Sequence, residues 1–188
     1  MRISLFPSPV VYRECLEHPK LLEWVKEYKN NTPGVDASST GWHSPYNLHT
    51  DEGFTIYFLW FYSQVAAAVE ELTPNQFDIQ SMWAIVNGPG DSNVAHQHPG
   101  SDLSAVMWLE TPPSSGKFIF ENDTAITRYK LIECVPPAEK DQMNFHDYTW
   151  FEPKPWSLLL FPADMRHRVE RNESTEQRIS IAANIKLR

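Results

Sequence analysis

The chain has 188 residues, which is the length of one domain built around a single hydrophobic core. Hydrophobic residues make up 41% of the chain and aromatic residues 13%, and this composition excludes an intrinsically disordered protein. The formal net charge of −8 repels phosphate groups, so we expect no nucleic-acid partner.

Two amphipathic helices are predicted in the first part of the chain. Apolar residues at helical spacing predict one helix over residues 19–30, and the Thr-, Ser-, Gly- and Pro-rich segment 31–48 is predicted as a loop. A longer helix is predicted from an N-cap at Thr50 to Leu72, and Pro74 ends it. Its aromatic stripe is typical of a helix that packs against a sheet.

From about residue 77 the pattern changes to short strands separated by turns. The predicted strands cover residues 80–87, 93–97, 103–109, 117–120, 127–133, 157–161, 166–170 and 178–186. Such a series favours a β-sandwich or barrel over a parallel α/β sheet. We therefore predict a single domain over residues 1–188, with a helical N-terminal part over 1–75 and a mainly β core over 76–188.

The β core is interrupted by an insertion at about residues 135–155. This segment carries four prolines, several charges and five aromatic or imidazole rings. A long irregular insertion between strands is usually either disordered or a functional lid. The density of rings favours an ordered flap over the functional site.

Two of the seven histidines, His96 and His98, stand two residues apart before a Pro-Gly turn. On a strand this spacing places both imidazoles on one face, at a strand end where a site can open to solvent. Two neutral imidazoles on one face form a ready metal chelate, although an isolated pair is also compatible with two surface histidines. His167 begins a later predicted strand, after the apolar segment 156–162, and is the candidate third ligand.

The last predicted strand begins with Arg178, eleven residues after His167. Alternation along the strand turns Arg178 and Ser180 to the same face. An arginine in a barrel interior is costly unless it meets an anion, and a dicarboxylate held by two hydrogen bonds would be such an anion. The alternative is a surface arginine at the end of an edge strand.

In this order, the features resemble the superfamily of 2-oxoglutarate- and iron(II)-dependent oxygenases. The shared sequence of motifs is His-x-His or His-x-carboxylate, a Leu-Ser strand, a Gly-Lys-Phe-Ile-Phe strand, a Leu-Leu-Phe-Pro turn into a histidine, and Arg-x-Ser on the final strand. More narrowly, His96-Gln-His-Pro-Gly-Ser followed by Leu103-Ser104 is similar to a family of such oxygenases from bacteria and phages. The resemblance covers residues 82–185 approximately.

The resemblance implies a mainly β fold, a double-stranded β-helix of the jelly-roll or cupin-like type, with the N-terminal helices packed on the sheet. It implies a non-haem dioxygenase that uses Fe(II), 2-oxoglutarate and dioxygen to hydroxylate a peptide or small-molecule substrate. It also implies that His96 and His167 bind the metal and that Arg178, with Ser180 beside it, binds the distal carboxylate of 2-oxoglutarate. Asn87, nine residues before His96, is a further candidate contact of the co-substrate.

One position departs from the usual pattern of two histidines and one carboxylate, because His98 stands where the carboxylate is expected. Ligation by His98 would give a three-histidine face, and imidazole suits iron, copper and zinc alike. Alternatively, Asp102 supplies the carboxylate and His98 acts as the first histidine. The i, i+2 geometry favours His96 and His98 together.

Two other functions remain open from the residues alone. One is a cupin-like three-histidine metal dioxygenase that works without 2-oxoglutarate, and the other is a non-catalytic metal-binding module. The two cysteines are far apart and the N-terminus has no sustained apolar stretch, so we expect a cytoplasmic protein with no disulfide and no membrane association. The aromatic rings of the insertion would also suit a homodimer contact.

Overall fold

The computed structural model describes residues 8–37, 39–122, 133–143 and 146–188. Its helices are α1 (Leu21–Asn31), α2 (Thr55–Glu70) and the short α3 (Pro137–Met143). In the part of the chain that is described, no helix combines the length and apolar character needed to cross a membrane.

The described residues form ten strands in two sheets, and every pair of neighbouring strands is antiparallel. They are β1 (Val11–Glu14), β2 (Trp42–His43), β3 (Phe77–Asn87), β4 (Asn93–His96), β5 (Leu103–Glu110), β6 (Phe118–Glu121), β7 (Tyr148–Phe151), β8 (Ser157–Pro162), β9 (His167–Val169) and β10 (Arg178–Leu187). The six-stranded sheet has the order β1-β8-β5-β10-β3-β2, and the four-stranded sheet has the order β4-β9-β6-β7.

The two sheets pack face to face through a cluster of buried aromatic and aliphatic side chains. Trp108 on β5 and Phe161 on β8 come from the large sheet, whereas Phe118 and Phe120 come from β6 of the small sheet. This two-layer antiparallel arrangement is a double-stranded β-helix, and the predicted mainly β fold is confirmed.

The helices cover the other face of the large sheet, as expected. Val25 of α1 and Phe61 of α2 belong to one buried cluster with Ile181 on β10. Because side chains alternate along a strand, Ile181 faces the helices while Arg178 and Ser180 face the small sheet. The large sheet is therefore buried on both faces.

The second helix begins later than predicted. Two short 3₁₀ turns occupy residues 48–54, and α2 starts at Thr55. The carboxylate of Asp51 accepts a hydrogen bond from Gly53 N at 2.8 Å and caps the second turn, whereas Thr50 Oγ donates to Asn47 O at 2.9 Å. The predicted N-cap at Thr50 is therefore wrong, because the local turns use its hydroxyl differently.

Three strands form in segments where no strand was predicted. They are β1, β2 and β7, and each is short and lies at or near a sheet edge. The described part of the 135–155 insertion forms α3 and β7, and Phe151 of β7 packs on Tyr12 and Phe120. Through β7 it extends the small sheet, and none of its described residues lines the cavity discussed below. The predicted strand at 127–133 lies outside the described residues except for its last position.

Candidate metal and co-substrate site

Two of the candidate metal ligands, His96 and His167, lie directly opposite each other on paired strands β4 and β9. His96 Nδ1 lies 2.7 Å from Val94 O, and His167 Nδ1 lies 2.8 Å from Met165 O. Because a carbonyl oxygen only accepts a hydrogen bond, each Nδ1 carries the proton and donates it. Each Nε2 therefore presents a lone pair, which is the form that binds a metal.

The third histidine, His98, follows β4 in the turn that leads to β5. Its backbone N–H donates to Ala163 O at 2.9 Å, which holds the turn beside β8. His98 Nε2 lies 3.3 Å from His167 Nε2, and one nitrogen from each of the three histidines lies within 4.8 Å of the others. Two nitrogens bound to one metal at ~2.1 Å lie about 3.0–3.4 Å apart for octahedral to tetrahedral angles. The cluster therefore fits a metal ion.

Burial keeps these imidazoles neutral. Desolvation, with a smaller contribution from the neighbouring His96, lowers the pKa of His98 to about 4 and the pKa of His167 to about 3. The pKa of His96 is also lowered, chiefly by desolvation. A metal competes with protons for these nitrogens, so a cluster that is neutral at pH 7 is ready to bind.

The carboxylate alternative, Asp102, lies outside this cluster. Its Oδ1 accepts a hydrogen bond from Lys186 Nζ at 2.9 Å and its Oδ2 accepts one from Leu187 N at 2.9 Å. Both oxygens are thus engaged at the far end of β10. The structure does not support an arrangement in which Asp102 is the third metal ligand. The third member of the cluster is His98.

The three histidines line one end of a cavity of about 290 Å³ between the two sheets. Trp108, Phe118 and Phe161 form apolar walls, so these rings pack in the core and also border the cavity. The ring of Phe118 stacks on His167 with centroids 5.2 Å apart. This contact fixes the plane of the imidazole and keeps water from its face.

Arg178 lines the same cavity and is only 1% exposed. Its Nη2 donates to Asn87 Oδ1 at 3.0 Å, and its Nη1 donates to Glu170 O at 3.3 Å and to Ser115 O. These acceptors are neutral, and among the described residues no carboxylate lies within 4.0 Å of the guanidinium. Burial lowers the pKa of Arg178 to about 10, so it remains charged at pH 7. A buried cation of this kind needs an anion.

A glycine allows the acceptors of Arg178 to converge. Gly116 has φ +92°, and a Cβ there would lie 2.5 Å from Glu170 O. Only glycine accommodates both the backbone conformation and this close approach. The turn at Ser115 and the residue after β9 can therefore both direct carbonyls at the guanidinium.

The two other predicted co-substrate residues lie beside Arg178. Ser180 is buried and lines the cavity on the same face of β10. Asn87 is opposite Arg178 in the β3–β10 register, and its Nδ2 donates to Ser39 Oγ at 2.9 Å while its Oδ1 accepts from the guanidinium. The geometry thus gives Asn87 a positioning contact with Arg178 in addition to its place in the cavity wall.

Some cavity residues were not identified from the sequence. His43, Tyr46, Trp83 and Asn93 line the cavity, and Asn93 Oδ1 is buried without a donor from any described residue. A buried acceptor of this kind is normally satisfied by ordered water or a ligand. Segment 31–48 was predicted as a loop, so only the pairing of β2 with β3 shows that His43 faces the cavity.

The double-stranded β-helix thus brings a partly buried three-histidine cluster and a buried arginine into one cavity, where imidazoles can bind a metal and the arginine an anion. Residues 81–184, more than half of the chain, match the family described as "Putative 2OG-Fe(II) oxygenase". The chain belongs to this family. The predictions of a non-haem iron, 2-oxoglutarate-dependent oxygenase and of its cofactors Fe(II) and 2-oxoglutarate are thereby confirmed.

Solved structures share the fold at low sequence identity. HygX from Streptomyces hygroscopicus, with nickel and 2-oxoglutarate bound, matches with a TM-score of 0.66 and 11% identity, over 95% of this chain and 83% of that one. A prolyl-4-hydroxylase from Pseudomonas putida matches with a TM-score of 0.63 and 13% identity, over 95% and 92%. These identities show a common fold only.

A 2OG-Fe(II) oxygenase family oxidoreductase from Burkholderia pseudomallei is 14% identical to this chain and matches it with a low TM-score of 0.46. The match covers 61% of this chain and 47% of that one, so the chain spans about half the length of that relative. No curated protein matches the sequence significantly.

Proposed function

We propose that His96, His98 and His167 hold iron(II), that Arg178 and Ser180 hold 2-oxoglutarate, and that the enzyme oxidises a small-molecule or peptide substrate at the open side of the metal. The observation that carries the proposal is the buried, carboxylate-free Arg178 in the same cavity as the three-histidine cluster. Iron(II) and 2-oxoglutarate, when bound, supply the oxidative decarboxylation that activates dioxygen for attack on a C–H bond.

The histidines hold the metal from one side. His96 and His167 are fixed on paired strands with their Nδ1 protons on backbone carbonyls, and His98 is fixed by its backbone bond to Ala163. Among the described residues, no other His, Cys, Asp or Glu belongs to the cluster. Since all three imidazoles are neutral, the charge of the metal is not reduced by a carboxylate, and its attraction for a dianionic co-substrate is correspondingly stronger.

Arg178 separates this proposal from a cupin-like enzyme that uses no co-substrate. Its guanidinium lines the cavity and has five N–H donors, of which the hydrogen bonds to described residues use three, so it can also bind a carboxylate. Asn87 and the backbone carbonyls of Ser115 and Glu170 hold the guanidinium in place before the anion arrives. In an enzyme without an anionic co-substrate, this buried charge would have only the longer-range attraction of Asp91 and no carboxylate in contact with it.

The surroundings of the site support a substrate other than nucleic acid and a reducing compartment such as the cytoplasm. The net charge of −8 disfavours a polyphosphate partner. Cys15 and Cys134 are both free. The apolar walls at Trp108 and Phe161 exclude water from the space beside the metal cluster.

The test is an anaerobic titration of the purified protein with iron(II), with and without 2-oxoglutarate. We expect the weak visible charge-transfer band of a chelated keto acid in the wild-type protein and its loss in His167→Ala and Arg178→Met. Arg168→Met is the matched control, because Arg168 lies on β9 but pairs with Glu121 at 3.1 Å outside the cavity. Bound metal without a band would favour the cupin-like enzyme, and absence of metal binding would favour a non-catalytic module.

A further inference from the structure

One wall of the cavity is built by a short segment that is hydrogen-bonded along the edge of the large sheet. His43 pairs with Ile85 of β3, Ser44 N donates to Ala84 O at 2.9 Å, and Met82 N donates to Tyr46 O at 2.8 Å. This succession of bonds makes residues 42–46 an ordered extension of the sheet. The side chains of His43 and Tyr46 are therefore held in place and not on a free loop.

The approach of this segment to β3 depends on Gly41. A Cβ at that position would lie 2.4 Å from Val86 O and 3.0 Å from Asn87 Cα. These contacts are with backbone atoms, which cannot move aside without disturbing β3. Glycine at position 41 thus permits β2 to pair with β3. Because His43 pairs with Ile85, its side chain lies on the same face of the sheet as Ile85, toward the cavity.

His43 presents a hydrogen-bond acceptor to the cavity. Its Nδ1 lies 2.6 Å from Ser44 O, so Nδ1 carries the proton and donates it to that carbonyl. The Nε2 atom forms no hydrogen bond with a described residue, and the side chain is buried. Desolvation lowers the pKa of His43, so the ring is neutral and Nε2 offers a lone pair at pH 7.

Aromatic rings surround this acceptor and connect it to the metal cluster. The ring of His43 stacks on Trp83 with centroids 5.6 Å apart and contacts Tyr46 at 4.7 Å. On its other side Trp83 contacts His98 at 5.8 Å. The acceptor thus lies one ring away from the metal cluster. Arg178 does not contact this group of rings.

The size of the cavity limits what can enter. Its volume of about 290 Å³ lies at the lower limit of small-molecule sites, which span roughly 300–1,000 Å³. A co-substrate bound by Arg178 would fill part of that space. Tyr46 is 44% exposed, so this wall continues from the cavity to the surface. A substrate larger than the remaining space would enter by one end only, and the exposed side of Tyr46 is available to the rest.

We propose that His43, Tyr46 and Trp83 form the wall that receives the primary substrate, and that the reactive end of this substrate carries an O–H or N–H donor on an apolar skeleton. The donor binds His43 Nε2, and the skeleton packs on Tyr46 and Trp83. A substrate whose inserted end is a carboxylate would meet a lone pair at His43 and is disfavoured. This inference rests on the proposed function, since it assigns the substrate class of the same site.

The test uses three probes that share one ring: benzyl alcohol, benzylamine and benzoate. The protein is loaded with Mn(II) and 2-oxoglutarate under anaerobic conditions, and the longitudinal relaxation rates of the probe protons are measured by NMR. A Zn(II)-loaded sample gives the diamagnetic reference. We expect Mn(II)-dependent relaxation for the alcohol or the amine and weaker relaxation for benzoate, and the two donor probes distinguish an O–H from an N–H substrate.

Matched variants assign the effect to His43. His43→Phe keeps a ring but removes the acceptor and is expected to weaken binding of the donor probe by about tenfold. His43→Gln returns an acceptor at similar reach and is expected to restore binding. Tyr148→Phe, at an exposed position on β7 outside the cavity, is the control and is expected to leave binding unchanged. Melting temperatures of the variants verify that each is folded.

Several results would overturn the inference. The first is that benzoate binds as well as the donor probes do. The second is that the His43→Phe variant binds the donor probes as tightly as the wild type. The third is that no probe shows relaxation that depends on Mn(II). Calorimetric titration of 2-oxoglutarate into the same Mn(II)-loaded samples separates this failure from failure of the proposed function. If 2-oxoglutarate binds but binding of the probes does not depend on His43, only the substrate assignment is wrong. If 2-oxoglutarate does not bind, the proposed function itself is wrong.

Discussion

The two ends of the cavity use burial in opposite ways. At the histidine end, desolvation keeps His96, His98 and His167 uncharged, so that they can accept a cation. At the arginine end, Arg178 stays charged although it is almost fully buried: the Asp91 carboxylate attracts it from beyond contact distance, and neutral oxygens from Asn87, Ser115 and Glu170 accept its hydrogen bonds. The cavity is thus prepared for a cation at one end and for an anion at the other. A metal and a dicarboxylate chelated to it satisfy both ends together.

The largest effect is expected from removing a ligand at the histidine end. In His167→Ala the cluster keeps two imidazoles, and we expect metal affinity to fall by about 100-fold or more. Competition titration with a chromophoric chelator measures this affinity. His146→Ala is the control, because His146 lies near Asp141 and outside the cluster. Unchanged metal affinity in His167→Ala would remove the basis for the histidine end as a metal site.

The arginine end is tested by Arg178→Met, which keeps length and apolar bulk but removes the charge. We expect the affinity for 2-oxoglutarate to fall by about 100-fold, the usual consequence of losing one partner of a buried charge pair. Metal affinity without 2-oxoglutarate should stay the same. Calorimetry on the Mn(II)-loaded protein measures both, with Arg168→Met as the control. If Arg178→Met lowered the affinities for the metal and for 2-oxoglutarate equally, the two ends of the cavity would not bind independently.

A third variant, His98→Asp, gives the histidine end the carboxylate that is more usual in this superfamily. Metal should still bind, because a carboxylate at this position is a competent ligand. The added negative charge should weaken 2-oxoglutarate binding by about tenfold relative to the wild type, since it offsets part of the metal charge. His98→Asn, a neutral variant of the same shape, separates charge from geometry. If His98→Asp binds 2-oxoglutarate more tightly, the argument from the neutral ligand set is wrong.

The smallest effect is a dependence of apo-protein stability on pH. His98 and His167 have folded-state pKa values of about 4 and about 3, below the unfolded value of about 6.5. Between these values the unfolded chain binds more protons than the folded one, so stability is lost as the pH falls from 6.5 toward 4. We expect the melting temperature of the metal-free protein to fall by several degrees between pH 7 and pH 5.

The double variant His98→Leu/His167→Leu is the comparison for this pH effect. It should show a flatter melting profile over the same pH range, because two of the titrating imidazoles are gone. A profile as steep as that of the wild type would mean that other groups cause the loss. Saturating Zn(II) should also flatten the wild-type profile near neutral pH, since bound metal competes with protons.

Several parts of the site were predictable because strand geometry is local. The two-residue period of a strand sends Arg178 and Ser180 to one face while Ile179 faces the helices. The helical period of residues 55–70 predicted the apolar face that packs on the large sheet. These patterns depend only on neighbours along the chain.

Other parts required contacts between distant residues. Asp102 could have completed a metal triad by spacing alone, but its ion pair with Lys186, 84 positions away, directs it elsewhere. The insertion was predicted as a flap, yet β7 pairs with β6 and extends the small sheet. Edge strands of two to four residues, such as β2 and β7, have too few residues to show a period, so their pairing is set by the strand already present beside them.

The sequence by itself determined the class of this protein and the candidate residues for its metal and co-substrate, since ordered motifs on regular strands carry that information. The tertiary structure decided the substrate wall. His43 becomes a cavity residue only because Gly41 lets β2 approach the backbone of β3, and the pairing of His43 with Ile85 then sets the direction of its ring. That contact joins residues more than 40 positions apart. A pattern of neighbouring residues does not show which distant segments come together when so long a loop closes.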